Sequence, residues 1–184
     1  VSDLGDQVAK VVVEFGRLDI LVNNAGIIRR APAIDYTEQD WDDVLHINLR
    51  AVFFLSQAAA RVMREQGGGS IINVASMLSF QGGILVPSYT ASKSAVAGIT
   101  RALANEWASL GIHVNAIAPG YMATDNTAPL RADPVRSKAI MDRIPAARWG
   151  TPDDLKGAVV FLASDAASYV NGAILPVDGA WLTR

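Results

Sequence analysis

Short apolar runs alternate with segments of helical periodicity along this chain. Valine, isoleucine and leucine gather at 18–22, 71–75, 113–117 and 173–177, and each run ends near a Gly, Asn or Ser. Short runs that are mostly apolar are typical of strands that are buried on both faces of a parallel sheet. Because segments with helical spacing separate them, the pattern predicts an α/β fold built from repeated strand–helix units.

The segments between the runs predict helices from the spacing of their apolar residues. These helices share apolar positions three and four residues apart, and they cover 8–15, 41–63, 89–110 and 151–163. Gly16 and Gly111 follow two of them as expected C-caps. Thr151 and Pro152 give the last one an N-cap and a first helical residue. Residues 121–149 are mixed in composition and contain three prolines, so we expect a mobile substrate lid with one short helix there.

Composition and charge exclude several classes of function. The 184 residues predict a single domain, 1–184, and the formal net charge of -2 provides no basic surface for nucleic acid or for an anionic membrane. No apolar run approaches the roughly 18 residues that span a bilayer, and no basic region precedes an apolar core at the N-terminus. Without cysteine, and with two histidines that lack neighbouring ligands, neither thiolate chemistry nor a metal site is expected. These features favour a cytoplasmic protein that acts on a small molecule.

One pair of side chains has the spacing of a proton-transfer unit. Tyr89 and Lys93 are four residues apart, so they share one face of the predicted helix. A phenol is a poor base at neutral pH, but a nearby ammonium favours the phenolate and lowers its pKa. Ser76 ends a predicted strand, where catalytic groups of parallel sheets collect, and its hydroxyl could bind a substrate oxygen. The alternative is an exposed helical pair without chemistry.

Two further strand ends carry turn residues that suit a flat ligand. Asn24, Ala25 and Gly26 follow the first predicted strand, and Gly26 permits close approach of a ligand to the backbone. The alternative is a loop stabilised by its asparagine side chains. Pro119 and Gly120 follow the third predicted strand and allow the same two interpretations.

Together these residues resemble the short-chain dehydrogenase/reductase family. The matching motifs occur in the family's order: Asn23-Asn24-Ala25-Gly26, Asn48, Ser76, Tyr89 with Lys93, Pro119-Gly120 with Thr124, and Val177-Asp178-Gly179. The resemblance covers nearly the whole chain from Leu18 onward. It implies a Rossmann-type, doubly wound parallel sheet, an NAD(P)-dependent oxidoreductase with NAD as the favoured cofactor, and a homotetramer.

The resemblance also implies a role for each matching residue. Tyr89 is the implied general acid/base, Lys93 lowers the pKa of the phenol and holds the nicotinamide ribose, and Ser76 orients the reacting oxygen. Asn48 holds a water that relays protons. The implied cofactor contacts are Asn24, Ala25 and Gly26 on the adenosine side, Pro119, Gly120, Met122 and Thr124 at the nicotinamide end, and Tyr89 together with Lys93.

Four stretches, 76–89, 115–124, 130–133 and 143–150, resemble members of the family that act on deoxy sugar acids. They imply hydride transfer to or from a secondary alcohol or ketone of a 2-deoxy- or 2-keto-3-deoxygluconate. Gluconate, another polyol and a 3-oxoacyl thioester are alternative substrates. Since guanidinium pairs with carboxylate through two hydrogen bonds, arginines are candidates for binding the acid. The candidates are Arg30 and Arg148, ahead of Arg29 and Arg131.

The chain departs from the family at its beginning. The family's glycine-rich turn, which receives the dinucleotide pyrophosphate between a first strand and helix, has no counterpart here. We therefore expect that the N-terminal part of the first mononucleotide-binding half is missing from this chain, together with the residue that selects NAD or NADP. The alternative to an enzyme is a truncated, non-catalytic oligomerisation fragment or pseudoenzyme, which would bind no dinucleotide.

Overall fold

The computed structural model describes residues 4–184 and contains a parallel sheet. Its strands are β1 (Ile20–Asn23), β2 (Gly69–Val74), β3 (Ile112–Pro119) and β4 (Ile174–Val177). They lie side by side in the order β1-β2-β3-β4, and every neighbouring pair is parallel. All four predicted strands are therefore present, and their carboxyl ends lie along one edge of the sheet.

Helices cover both faces of this sheet, as the sequence predicted. The α-helices of residues 4–184 are α1 (Leu4–Phe15), α2 (Glu38–Leu45), α3 (Val52–Gln66), α4 (Pro87–Trp107), α5 (Ala128–Ala132), α6 (Pro134–Arg143) and α7 (Lys156–Ala163). None of these helices has the length and hydropathy needed to cross a membrane.

The core has two layers because successive residues of a strand point to opposite faces. On one face, Ile71 of β2 packs with Met63 of α3 and Leu103 of α4, and all three are buried. On the other face, the next strand residue, Ile72, packs with Leu162 of α7. β2 is thus covered on both faces, so its apolar residues do not alternate with exposed polar ones.

A π-helical turn interrupts the helix that was predicted over 41–63. Residues His46–Ala51 form this turn, which joins α2 to α3. A π turn accommodates one extra residue and is frequent at functional sites. Here the turn contains Asn48, whose side chain is buried. The apolar spacing continues through the turn, so periodicity alone predicted one regular helix.

The predicted lid, 121–149, contains two helices instead of one short helix. Pro129 and Pro134 lie in the first turns of α5 and α6. Proline is accommodated there because the first backbone N–H groups of a helix have no acceptor within the helix. Asp133 caps α6 by accepting hydrogen bonds from the backbone of Val135 and Arg136. Two of the three prolines that suggested irregular structure therefore begin helices, and Pro145 lies in a turn.

The two ends of the lid are joined side by side. Met122 and Gly150 form an isolated parallel bridge. The backbone N–H of Ala123 donates to the Gly150 carbonyl at 2.7 Å, and the N–H of Gly150 donates to the Tyr121 carbonyl at 2.9 Å. The lid therefore leaves and rejoins the body of the protein at one point, next to the end of β3.

Candidate active site

Polar and glycine residues of the candidate site gather along the carboxyl edge of the sheet. Residues 24–26 follow β1, Ser76 follows β2, Gly120 follows β3 and Asp178 follows β4. A Cβ added to Gly120 would lie 2.5 Å from the Cα of Asp178, so only glycine allows the ends of β3 and β4 to pack this closely. Ligands of doubly wound folds bind at this edge of the sheet.

Tyr89 and Ser76 approach each other at this edge. Tyr89 lies in the first turn of α4, and Ser76 immediately precedes a short 3₁₀ turn. Burial raises the pKa of Tyr89 above its usual value near 10, while a hydrogen bond with the Ser76 side chain and the positive charge of Arg30 oppose this rise. The Tyr89 phenol therefore carries its proton at neutral pH. It lies next to the Ser76 hydroxyl, and both groups could form hydrogen bonds with one substrate oxygen.

Lys93 lies on the same face of α4 as Tyr89 but points to the end of β2. Its Nζ donates to the Val74 carbonyl at 2.5 Å and lies 5.6 Å from the centroid of the Tyr89 ring. Burial lowers the pKa of Lys93 to about 8. The net shift of the Tyr89 pKa is upward, opposite to the predicted lowering, because burial outweighs the effects of Ser76 and Arg30.

Asn48 connects the loop after β1 to α4. Its Oδ1 accepts from the Ile27 N–H at 2.8 Å, and its Nδ2 donates to the Ile27 carbonyl at 2.9 Å and to Ser92 Oγ at 3.3 Å. Ser92 Oγ in turn donates to the Tyr89 carbonyl at 2.8 Å. Through Ser92 the Asn48 side chain therefore positions the backbone of Tyr89, and the expected water-binding role of Asn48 stays a prediction.

A cavity of about 390 Å³ opens beside Tyr89. This volume is suitable for a small organic molecule. Ser76, Tyr89 and residues of the lid line the cavity, and its lining within residues 4–184 contains no Asp or Glu. The charged side chains that line it are Arg30, Arg136 and Arg143. The hydroxyl-bearing residues Ser76 and Tyr89 thus line a cavity whose charged side chains are all positive.

Of the two preferred arginine candidates, only Arg30 lines this cavity. Its Nη2 donates to the Asn126 carbonyl at 3.0 Å. Arg148 instead forms two hydrogen bonds with Asp154, at 2.7 and 2.8 Å, and lies outside the Tyr89 cavity. This pairing holds the pKa of the Asp154 carboxyl well below its usual range and raises that of Arg148. The assignment of Arg148 to the substrate therefore has to be withdrawn, because its guanidinium already has a carboxylate partner.

Of the other arginines, the candidates Arg29 and Arg131 do not line the cavity, whereas two arginines of α6 do. Arg29 lies 3.4 Å from an Asp40 carboxylate oxygen, and Arg131 donates to a lid carbonyl at 3.1 Å. Arg136 and Arg143 of α6 were not among the candidates, although both line the cavity. Arg136 and Arg143 are seven residues apart, about two helical turns, so they share one face of a helix. This spacing identifies them as a pair only where a helix is already predicted over both residues.

Of the predicted cofactor residues, Gly26 lies beside Lys93, and Gly120 also lines the Tyr89 cavity. A Cβ added to Gly26 would lie 3.8 Å from Lys93 Nζ and 3.3 Å from Asn48 Oδ1, so this loop passes directly over the lysine. Asn24 and Ala25 are exposed next to it. The Met122 side chain is buried against Gly150 at the lid end, so only its backbone is available to a ligand. Thr124 begins a 3₁₀ turn directly after it.

Substitution of Arg148, which pairs with Asp154, tests whether the substrate site extends beyond the Tyr89 cavity. We expect Arg148→Ala to leave the KM for a sugar acid unchanged, because the guanidinium faces Asp154 and not the Tyr89 cavity. Steady-state kinetics of the variant and the parent protein measure this. A KM that rises tenfold or more, about 1.4 kcal/mol of lost binding, would return Arg148 to the substrate site.

Comparisons with known proteins agree with this geometry. A family model described as enoyl-(acyl carrier protein) reductase matches residues 2–181. The curated 2-dehydro-3-deoxy-D-gluconate 5-dehydrogenase of Dickeya dadantii (strain 3937) is 68% identical over 178 residues, which cover 96% of this chain and 70% of that protein. This chain is therefore similar to a curated dehydrogenase over most of that protein's length.

Two solved structures share the fold. A provisionally assigned 2-deoxy-D-gluconate 3-dehydrogenase from Agrobacterium tumefaciens with bound NADP is 58% identical, with a TM-score of 0.91 over 99% of this chain and 75% of that one. A gluconate 5-dehydrogenase from Burkholderia cenocepacia in complex with NADP and tartrate is 40% identical, with a TM-score of 0.97 over 100% and 72% of the two chains. Both hold NADP, so the expected preference for NAD is not supported. The matched model, the identities and the shared fold establish that this chain belongs to the short-chain dehydrogenase/reductase family of nicotinamide-dependent oxidoreductases.

Proposed function

We propose that the protein transfers a hydride between a nicotinamide cofactor and a secondary alcohol or ketone of a deoxy sugar acid of the 2-keto-3-deoxygluconate type. One observation carries this proposal: the Tyr89 phenol opens on a cavity that three arginines line and no carboxylate of the described residues neutralises. Guanidinium groups without counter-charges attract an anion, so an acid fits this cavity better than a neutral polyol. The names of the relatives, a deoxygluconate and a gluconate dehydrogenase among them, support the same substrate class.

In the proposed reaction, a secondary alcohol loses a proton from its oxygen and a hydride from the adjoining carbon. The nicotinamide, when bound, supplies the acceptor or donor of that hydride. Tyr89 exchanges the proton with the substrate oxygen through its hydroxyl, and Ser76 holds the same oxygen by a hydrogen bond. Because burial keeps the Tyr89 phenol protonated, it is ready to donate to a ketone. Oxidation requires the phenol to lose its proton first, so it becomes faster as the pH rises.

The residues around Lys93 fit the nicotinamide ribose. An ammonium has three N–H donors, and the structure gives Lys93 Nζ one acceptor within residues 4–184, the Val74 carbonyl. The two other donors suit the neighbouring hydroxyls of a ribose. Any side chain at position 26 would enter the space in front of Nζ, and glycine leaves this space open. We therefore propose that Lys93 and the loop 24–26 hold the cofactor.

Substrate selectivity tests the proposed function. The purified protein is assayed with a 2-keto-3-deoxygluconate-type acid and, separately, with a neutral polyol of the same carbon number. NADP(H) and NAD(H) are compared in parallel, and the absorbance of the reduced cofactor is followed. We expect a kcat/KM for the acid at least about tenfold higher, since hydrogen bonds to a charged group contribute about 1.5–3 kcal/mol.

Two results would contradict the proposal. An equal kcat/KM for acid and polyol would leave the cavity arginines without a substrate role. Calorimetry that detects no binding of either dinucleotide would instead support the non-catalytic fragment.

A further inference from the structure

One face of α6 is turned toward the Tyr89 cavity. Arg136, Ile140 and Arg143 follow each other at spacings of four and three residues, so they lie on the same side of the helix, and all three line the cavity. Lys138 lies on a different face of α6, where its Nζ pairs with Asp142 at 2.8 Å. The helix therefore presents two of its cations to the cavity and one to its outer side.

The three cavity arginines differ in what already holds them. Arg143 stacks on Trp181, with its guanidinium carbon 3.9 Å from the centroid of the ring. Arg30 donates to the Asn126 carbonyl. The Arg136 guanidinium has no hydrogen bond or ion pair with the described residues, while the Arg136 backbone N–H is fixed by the Asp133 cap. The Arg136 backbone is thus held by the Asp133 cap, while its guanidinium at the cavity has no hydrogen-bond acceptor among the described residues.

The three cavity arginines come from two parts of the fold. Arg30 follows β1, and its charge opposes the rise in the pKa of the Tyr89 phenol. Arg136 and Arg143 belong to the lid helix. A sugar acid has two ends, a hydroxyl or ketone carbon that reacts and a carboxylate that does not.

We infer that Arg136 is a specificity-determining residue whose guanidinium binds the substrate carboxylate in bidentate fashion, with Arg143 supplying a second, fixed positive charge. This inference rests on the proposed function, because it takes a sugar acid as the ligand. The lid then places the carboxylate at α6 and the reacting carbon at Tyr89. Binding at two points selects which carbon of the chain meets the phenol.

Arg136→Gln tests this role, because it removes the charge and keeps a long polar side chain at an exposed position. We expect the KM for the sugar acid to rise about 10- to 100-fold with a smaller change in kcat, as for the loss of a charge-assisted pair. The KM for a neutral polyol should not change. Arg136→Lys should recover only part of the affinity, because a lysine does not form the bidentate pair.

Lys138→Gln is the matched control. It removes the same charge from the same helix, but Lys138 does not line the cavity. We expect its KM for the acid to equal that of the parent protein. If Lys138→Gln and Arg136→Gln raise the KM equally, the effect is a long-range one and the specific role of Arg136 is overturned.

Calorimetric titration of the sugar acid into the protein gives a readout that does not depend on turnover. Equal Kd values for the parent protein and Arg136→Gln overturn the inference, whatever the kinetics show. If the parent protein turns over the acid and Arg136→Gln does so with the same KM, the inference fails and the proposed function stands. If the parent protein turns over no sugar acid, the proposed function itself has failed.

Discussion

Tyr89→Phe is expected to lower kcat by about 10²- to 10⁴-fold in both directions, the usual effect of losing a general acid/base. The substitution removes the hydroxyl that faces Ser76 and the cavity, and it keeps the ring that packs at the start of α4. The fold should therefore be unaffected. Stopped-time or continuous assays of cofactor reduction and oxidation, together with thermal unfolding of the variant, measure the two properties separately.

Tyr169→Phe is the control for the loss of a phenol hydroxyl. Tyr169 is fully exposed, at 102% of its reference surface, and lies far along the chain from α4. We expect its kcat to match that of the parent protein. A Tyr89→Phe variant that retained comparable turnover would remove Tyr89 as the proton donor and, with it, the mechanism proposed above.

Lys93→Met is expected to have opposite effects on function and stability. Turnover should fall by at least about tenfold, since the cation that we propose to hold the ribose is lost. The free energy of unfolding at pH 7 should rise, because the parent protein buries an ammonium with a single protein acceptor among residues 4–184, the Val74 carbonyl. Methionine fills similar space without that desolvation cost.

The sign of the pH dependence follows from the lowered pKa of Lys93, about 8 against its ordinary value of 10.5. Below pH 8 the lysine is protonated in both the folded and the unfolded state, so the cost of burying the charge is fully present. Between pH 8 and 10.5 the folded protein loses the proton first, and the cost is relieved. The stabilisation by Lys93→Met should therefore be about 1–3 kcal/mol at neutral pH and shrink as the pH rises through that range.

Chemical denaturation at pH 7 and pH 10 measures this stabilisation. Lys156→Met is the control, because Lys156 is exposed and pairs with Asp153 at the surface. We expect that variant to change the free energy of unfolding by less than about 0.5 kcal/mol at either pH. A Lys93→Met protein that is less stable than its parent at pH 7 would show that the buried ammonium stabilises the fold.

The sequence predicted the sheet and the shared helix face of Tyr89 and Lys93 well. The four apolar runs became β1 to β4, but only β2 and β3 are mostly buried. The predicted burial of β1 is wrong, because Ile20 and Val22 are exposed. The strand ends moved by only one or two residues. Tyr89 and Lys93 share a face of α4, as four-residue spacing dictates, and Ser76 follows β2. These features depend on local periodicity or on the parallel order of neighbouring strands, both of which are visible in one sequence.

The features that were missed depend on contacts between distant residues. The π turn around Asn48 does not change the apolar spacing, so periodicity could not reveal it. Arg148 was a reasonable acid-binding candidate until Asp154 proved to be its partner. The position of the Arg136 guanidinium at the cavity and the burial that raises the pKa of Tyr89 likewise appear only when the lid and the strand ends are assembled.

The adjoining ends of the lid have a consequence for how such enzymes diversify. Since the segment departs and returns through hydrogen bonds among Tyr121, Ala123 and Gly150, its interior can be rebuilt without altering the strand that precedes it or the helix that follows. Tyr89, which we propose to transfer the proton, lies on α4, outside this segment. Substitutions in the lid can therefore change which substrate the protein would bind. The residues proposed for proton transfer need not change with them.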